Sequence, residues 1–201
     1  MPSPAERPRV LNGPPTQPTA LGLIALSALS RSGFMPWNMA LVGATSLFAG
    51  ARLPLRWALA VPMVSMLVSD LVIDSSNGRA AFTFERLTIY ASYLAIVALG
   101  RLMRKDSNLL KAGALGLAGS IIFFAASNFG YWVSAPDVPH TPEGLWLSYL
   151  AAVPFWRNTL LSDVIGSTAI FGLDALARRA GLYGVEPTAV ADASPAIARA
   201  D

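Results

Sequence analysis

Apolar residues are gathered into six runs along the chain, and charged residues, proline or glycine separate one run from the next. A helix needs about 20 apolar residues to cross the hydrocarbon core of a bilayer. The pattern predicts six helical spans at residues 19–30, 38–50, 57–73, 82–103, 112–133 and from the segment 153–163 to 173. A short amphipathic or half-inserted helix is predicted at 144–153, just before the last span. The predicted fold is therefore an all-α, polytopic membrane bundle of about six transmembrane helices.

The two ends of the chain lack such runs. Residues 1–18 contain six prolines, and residues 182–201 combine alanine, proline and isolated charges. Segments of this kind bury too little apolar surface to fold. We expect disordered tails at 1–18 and 182–201, on either side of one membrane domain at 19–181. The first apolar run resembles a secretory signal, but the proline-broken leader before it and the spans after it favour a retained helix.

Composition supports a membrane protein. Of the 201 residues, 54% are hydrophobic and 13% are charged, and the mean hydropathy is +0.49, whereas soluble domains carry about 25% charged residues. The net charge is +3, but Lys and Arg lie beside the apolar runs rather than in one basic stripe. We therefore expect the lipid bilayer as a partner and no nucleic acid. The chain has no cysteine, which excludes disulfides and thiolate metal sites.

The distribution of basic residues predicts the orientation in the membrane. If six spans place both termini in the cytoplasm, eleven of the fifteen Lys and Arg residues lie on the cytoplasmic side. Cytoplasmic loops carry this excess of basic residues. We predict a multi-pass protein of the cell inner membrane with both termini cytoplasmic.

This topology places the polar residues of several span ends, and four of the five tryptophans, toward the outer leaflet. An aromatic belt would mark both interfaces more evenly, whereas aromatic rings with a few polar groups are typical of small-molecule sites. We predict an outward-facing cavity for a small solute, lined by Trp37, Asn38, Asp70, Asn128, Trp132, Trp156, Arg157, Asn158 and Asp163. The alternative is that the tryptophans anchor one interface and the charged residues pair with one another.

Asp163 is the most deeply placed charge of this set. It shares a helical stripe with Thr159 and Ser167 and therefore faces other helices rather than lipid. An ionisable residue inside the membrane is by default a candidate functional residue. The competing interpretation is an ion pair that fixes helix packing, with Arg31, Arg86 or Arg157 as the partner.

The other charged residues also have two interpretations. Arg157 pairs with an anionic group of the solute or with Asp163, or its side chain extends to the interface without a specific role. Asp70 and Asp74 are four residues apart and share a helix face. That face could seat a cation, although Asp74 is also placed to face water.

No catalytic or metal-binding motif occurs along the chain. There is no G-x-S-x-G, no H-E-x-x-H and no P-loop, and His140 is alone in a loop rich in proline. We predict no metal, no cofactor and no enzymatic activity. A rival interpretation is an intramembrane enzyme that uses Asp70 and Asp163, which requires their carboxyl groups to lie within about one water of each other.

Five segments carry a further signal: residues 36–50, 62–70, 127–132, 144–145 and 154–163. The last of them reads P-F-W-R-N-T-L-L-S-D. Together they resemble a family of small bacterial integral membrane proteins of unknown function. The chain departs from that family's pattern after Asn38, where Phe-x-Pro is missing, and at Ser162, where glycine is usual.

The overall arrangement is also similar to the substrate-binding S components of energy-coupling factor (ECF) transporters. This resemblance implies six spans, an outward site for a vitamin or a metal, and partners that include an ATPase and coupling-protein module or other membrane subunits. Ala40-x-x-x-Ala44, or the small-residue face of the first span, would be the docking surface. Metal-binding S components have histidines at the N-terminus and this chain has none there, so a vitamin-like micronutrient is expected. The rival function is a structural or assembly subunit of a larger membrane complex.

Overall fold

The computed structural model describes residues 14–33, 35–36, 38–77, 83–104 and 108–183. These residues form helices and contain no strand, so the all-α prediction is confirmed. A short 3₁₀ turn, Arg101–Met103, follows the fourth helix. The helices are α1 (Thr16–Ser30), α2 (Val42–Arg52), α3 (Leu55–Asn77), α4 (Phe84–Gly100), α5 (Leu109–Ser134) and α6 (Pro142–Arg179).

Four of the six helices are long and apolar enough to cross a membrane: α3, α4 with its 3₁₀ turn, α5 and α6. The chain is therefore a membrane protein by the length and composition of its helices. The helices α1 and α2 are shorter, at 15 and 11 residues. At about 1.5 Å per residue, α2 is roughly half as long as the hydrocarbon core is thick.

The last helix differs from its prediction. The short helix expected at 144–153 and the last span form one continuous helix of 38 residues, so the predicted boundary between them is wrong. Pro154 suggested that boundary, yet it lies inside α6, as Pro62 lies inside α3. Proline is tolerated within transmembrane helices because neighbouring helices and local adjustments satisfy the freed backbone groups.

Two other helices extend further than predicted. The helix α3 continues to Asn77 rather than ending at residue 73, and α1 begins at Thr16, inside the predicted tail. Pro18 falls in the first turn of α1, where a missing backbone N–H costs no intrahelical hydrogen bond. The other residues of the predicted tails, 1–13 and 184–201, lie outside the described residues.

The core of the bundle is built around α2. Residues 42–51 are all buried, and α2 packs against each of the other five helices. The helices α2 and α4 approach each other closely because each places a glycine against the backbone of the other. A Cβ on Gly50 would lie 2.1 Å from the Val97 carbonyl oxygen, and a Cβ on Gly100 would lie 2.2 Å from that of Leu47. Small residues allow this kind of helix contact in lipid.

One end of the bundle is basic and is closed by a buried ion pair. Arg52 Nε lies 2.8 Å from Asp174 Oδ2, and a terminal nitrogen of Arg52 donates to the Met103 carbonyl at 3.0 Å. The helix α1 begins, and α6 ends, at this same end. The described basic residues near it are Arg52, Arg56, Arg101, Arg104, Lys111, Arg178 and Arg179.

The last residues of the connection before α2, 39–41, are partly buried in the bundle. The helix α2 extends only about 15 Å from Arg52 at the basic end, so its first residue lies near the middle of the membrane. The predicted span 38–50 is therefore helical only from Val42. Irregular backbone at that depth requires internal hydrogen-bond partners. These come from neighbouring helices: Leu41 N donates to Ser30 Oγ at 2.9 Å, and Ser162 Oγ donates to the Ala40 carbonyl at 2.6 Å.

Candidate functional site

A cavity of about 370 Å³ opens between α5 and α6 at the end of the bundle opposite the basic end. The residue Asn38, in the connection before α2, closes one side of it, and Glu85 of α4 closes another. The remaining lining residues are aromatic, small, hydroxyl-bearing or, in one case, an amide. They are Phe123, Phe124, Ser127, Asn128, Tyr131, Ser148, Ala151, Ala152, Phe155, Trp156 and Thr159.

An aromatic pair forms the wall of the cavity. The rings of Phe124 and Trp156 lie 4.8 Å apart between centroids, tilted by 31°. The Trp156 indole N–H donates to Ser120 Oγ at 2.9 Å, which fixes the orientation of the ring. Tyr149 packs edge-on against Phe124 with centroids 5.5 Å apart. The wall is therefore oriented by contacts within the protein.

The polar groups of the cavity are amides, hydroxyls and one carboxylate. Asn128 lines the cavity, and its Nδ2 donates to the Phe124 carbonyl at 2.7 Å. Thr159 Oγ1 donates to the Asn38 carbonyl at 3.1 Å and joins α6 to the connection before α2. Asn38 adopts a left-handed backbone conformation with φ of 59°, which asparagine tolerates better than most residues. Glu85 is the charged lining residue within the described part of the chain.

The predicted site residues fall into several groups. Asn38, Asn128 and Trp156 line this cavity. Arg157 is exposed on α6 and is not among the lining residues, and Asn158 next to it is half-buried. The remaining four are elsewhere in the structure or are not described. Trp132 donates to the Pro139 carbonyl at 3.0 Å, Asp70 and Asp163 lie in the two settings given below, and Trp37 lies outside the described residues.

Asp70 belongs to an ion-pair network around a second cavity of about 370 Å³. Its carboxylate lies 2.7 Å from a terminal nitrogen of Arg31 and 3.4 Å from Nε of Arg86, and the Tyr90 hydroxyl donates to it at 3.0 Å. Arg86 also donates to Asp74 at 2.9 Å. The cation that Asp70 and Asp74 face is therefore a guanidinium. Within the described residues, no three His, Cys, Asp or Glu side chains are grouped so that they could hold a metal ion.

Asp163 lies apart from this network. Its side chain is buried, with 3% of the residue exposed. The predicted ion pair with Arg31, Arg86 or Arg157 is not formed, and the described residues contain no salt bridge to Asp163. The reason is that Arg31 and Arg86 reach Asp70 and Asp74 instead, while Arg157 points away from the bundle. The carboxylate packs against Gly43 in the first turn of α2.

Several cavity residues were missing from the prediction. Phe124, Ser127 and Tyr131 all lie on α5 within one turn of Asn128, at spacings of three or four residues or next to it. That spacing places side chains on one helix face, so the stripe around Asn128 was a usable signal. Glu85 carried no such signal, because its position depends on how α4 packs against α5.

The helices and the cavity define an α-helical membrane protein with a pocket at one end of its bundle. The chain belongs to a family of unknown function, DUF6580, whose model matches residues 14–185 and so spans all six helices. No curated protein and no solved structure matches the chain. The family assigns no activity, and the function is therefore argued from the geometry.

Proposed function

We propose that this protein binds a small solute in the cavity between α5 and α6, as the substrate-binding subunit of a transporter. The observation that carries the proposal is the oriented aromatic pair of Phe124 and Trp156 beside the amide of Asn128 in a cavity of about 370 Å³. Small-molecule sites are typically clefts of about 300–1,000 Å³ with apolar walls and a few polar groups that fix orientation.

The lining favours a planar, hydrogen-bonding solute such as a vitamin-like micronutrient. The rings offer a face for stacking, and the polar groups are amides, hydroxyls and the carboxylate of Glu85, with no cation among the described lining residues. Arg157 is exposed outside the lining, so a bound anionic group paired with Arg157 is not part of this proposal. A neutral ring system with several donors and acceptors fits the lining best.

The proposed orientation places the cavity outward and both termini in the cytoplasm of the cell inner membrane. Its support is the concentration of described Lys and Arg residues at the opposite end of the bundle, which agrees with the excess of basic residues in cytoplasmic loops. An ATPase and coupling-protein module, as in ECF transporters, would supply the energy. Ala44 is fully buried, so Ala40-x-x-x-Ala44 is unsuitable for docking it. The exposed face of α1 around Gly22 remains suitable.

A thermal-shift panel of vitamins and nucleobases tests solute binding. A solute at 100 times its Kd stabilises the protein by about 2.7 kcal/mol, so we expect one compound class to raise the melting temperature. Ala152 lines the cavity, and Ala152→Trp should fill it and abolish the shift. Ala169→Trp is the matched control, because Ala169 is exposed on the same helix away from the cavity.

Two results would count against the solute site. The first is a panel in which no compound shifts the wild-type protein. The second is a shift that survives Ala152→Trp unchanged, because the compound would then bind outside the cavity.

A structural or assembly subunit is the second candidate, favoured by the ion-pair network. Both carboxylate oxygens of Asp70 are engaged by side chains of other helices, as expected of charges that fix packing. Asp70→Asn should lower the free energy of unfolding by about 2 kcal/mol, since it leaves the partly buried guanidinium group of Arg31 without its counter-charge. Chemical denaturation in detergent measures this. The assembly role also requires that Asp70→Asn releases a membrane partner, and a variant that keeps its partners contradicts that role.

We propose no enzymatic function. Two cooperating intramembrane carboxyl groups would have to share a water. Asp70 is committed to Arg31, Arg86 and Tyr90, whereas Asp163 packs against Gly43. These separate settings support a binding role over a catalytic pair.

A further inference from the structure

Asp163 occupies the middle of the membrane-spanning bundle. It lies eleven residues before Asp174, the carboxylate that pairs with Arg52 at the basic end. At 1.5 Å per residue this is about 16 Å, close to half of the roughly 30 Å hydrocarbon core. The side chain is 3% exposed, so bulk water does not solvate it.

Each helix packed around Asp163 presents a group without positive charge. A Cβ on Gly43 of α2 would lie 2.2 Å from Asp163 Oδ1, so the α2 backbone is in direct contact with the carboxylate. The helix α5 presents Gly116 and the hydroxyl of Ser120, which donates to the carboxylate. The titratable group near it on α4 is the buried phenol of Tyr93.

A buried hydroxyl group close to Asp163 along α6 lacks a hydrogen-bond partner. Ser167 Oγ, one turn further along α6, is fully buried and has no hydrogen-bond partner among the described residues. It lies against Gly116 of α5: a Cβ added to Gly116 would be 3.0 Å from Ser167 Oγ. The backbone carbonyl oxygen of Asp163 would be 2.7 Å from the same Cβ. An unpartnered buried hydroxyl therefore lies one helical turn from Asp163, beside Gly116 of α5.

Charge balance at this site is incomplete. The first turn of α2 supplies the partial positive charge of a helix N-terminus, equivalent to about half a unit charge. A full negative charge in a low-dielectric interior is costly unless a cation or a proton neutralises it. We propose that Asp163 binds a small monovalent cation, either a proton or Na⁺, at the start of α2.

This site is connected to the cavity. Ser120 Oγ accepts the indole N–H of Trp156 at 2.9 Å and contacts the Asp163 carboxylate. Cation occupancy therefore acts on the residue that orients the aromatic wall. The coupling of cation to solute rests on the proposed function, whereas the cation site itself does not require a solute.

Two measurements on the full-length protein in lipid nanodiscs test the cation site. Infrared spectroscopy detects the C=O stretch of a protonated carboxyl group, and melting temperatures in NaCl against choline chloride detect Na⁺ binding. A bound proton predicts a protonated-carboxyl band that is lost entirely in Asp163→Asn. Bound Na⁺ predicts no such band and a Na⁺-specific rise in melting temperature that Asp163→Asn abolishes.

Asp137→Asn is the control, because Asp137 is exposed in the loop after α5, and it should leave both signals unchanged. If Asp163→Asn does not fold, Ser120→Ala keeps the carboxyl group and removes its hydrogen-bond partner. It should then shift the band frequency or weaken the stabilisation by Na⁺. A wild-type protein with neither signal overturns the proposal, as does a signal that neither variant alters. No solute is present in either measurement, so failure of the solute proposal is detected separately.

Discussion

Asp174→Ala is expected to lower the free energy of unfolding by about 4 kcal/mol, the largest effect we predict for a single charged residue. The Asp174 side chain is fully buried and accepts hydrogen bonds from Arg52 at 2.8 Å and from Arg178 at 3.1 Å. Tyr183 also donates to it. Burial, and then this hydrogen bond, raises the pKa of the Tyr183 phenol, so the phenol remains a donor at neutral pH. Removing the carboxylate leaves the buried Arg52 guanidinium without a counter-charge.

Chemical denaturation in mild detergent measures this loss. Arg178→Ala is the control, because the Arg178 side chain is 28% exposed and partly exposed pairs contribute about 1 kcal/mol or less. The double variant Arg52→Met with Asp174→Leu should be more stable than Asp174→Ala alone, because it removes both charges and keeps apolar volume beside Phe171. Equal losses in Asp174→Ala and Arg178→Ala would contradict the buried ion pair.

Gly50→Ala and Gly100→Ala are each expected to cost about 3 kcal/mol or to prevent folding. An added Cβ would meet a backbone carbonyl oxygen of the facing helix at 2.1 Å or 2.2 Å, and backbone cannot move aside as a flexible side chain can. The two helices would have to separate, which loosens the buried α2 from α4. Thermal unfolding in detergent, followed by circular dichroism, measures the effect.

Two other glycines provide matched controls. Gly22 of α1 and Gly172 of α6 have no heavy atom within 4 Å of an added Cβ. Alanine is the better helix former by up to about 1 kcal/mol, so Gly22→Ala and Gly172→Ala should be neutral or stabilising. A loss at these positions as large as that at Gly50 would show that helix packing is not the cause.

Much of the helical framework was predictable, because apolar runs and the residues that close them are local signals. The helix α5 differs from its predicted span by only a few residues at each end. Pro154 gave the wrong boundary because its effect depends on the environment. In a soluble helix it would break the hydrogen-bond ladder, whereas in this bundle α6 continues through it.

The half-length of α2 was not predictable from its composition. Residues 39–41 and most of the helix that follows them are apolar or small, so no local pattern marks the change from irregular chain to helix. What permits it is the set of hydroxyls on other helices, such as Ser162 and Ser30, that satisfy the backbone of the connection. Those partners lie far away in sequence.

The sequence predicted the type of site, an aromatic and polar cavity, better than the individual residues that form it. Asn38, Asn128 and Trp156 were expected to line a cavity and do so, because the topology brings their span ends to one level. The partners of Asp70 and Asp163 could not be told apart, since both directly follow a serine within an apolar run. Their difference arises from the elements that face them: arginines for Asp70 and the glycine of α2 for Asp163.

Native mass spectrometry of the protein, purified gently from its own host membranes, tests the solute site most directly. We predict a co-purified small molecule on the wild-type chain that is retained by Ala169→Trp and lost from Ala152→Trp. A bare chain that co-purifies with stoichiometric membrane subunits would contradict the solute site and favour the assembly role.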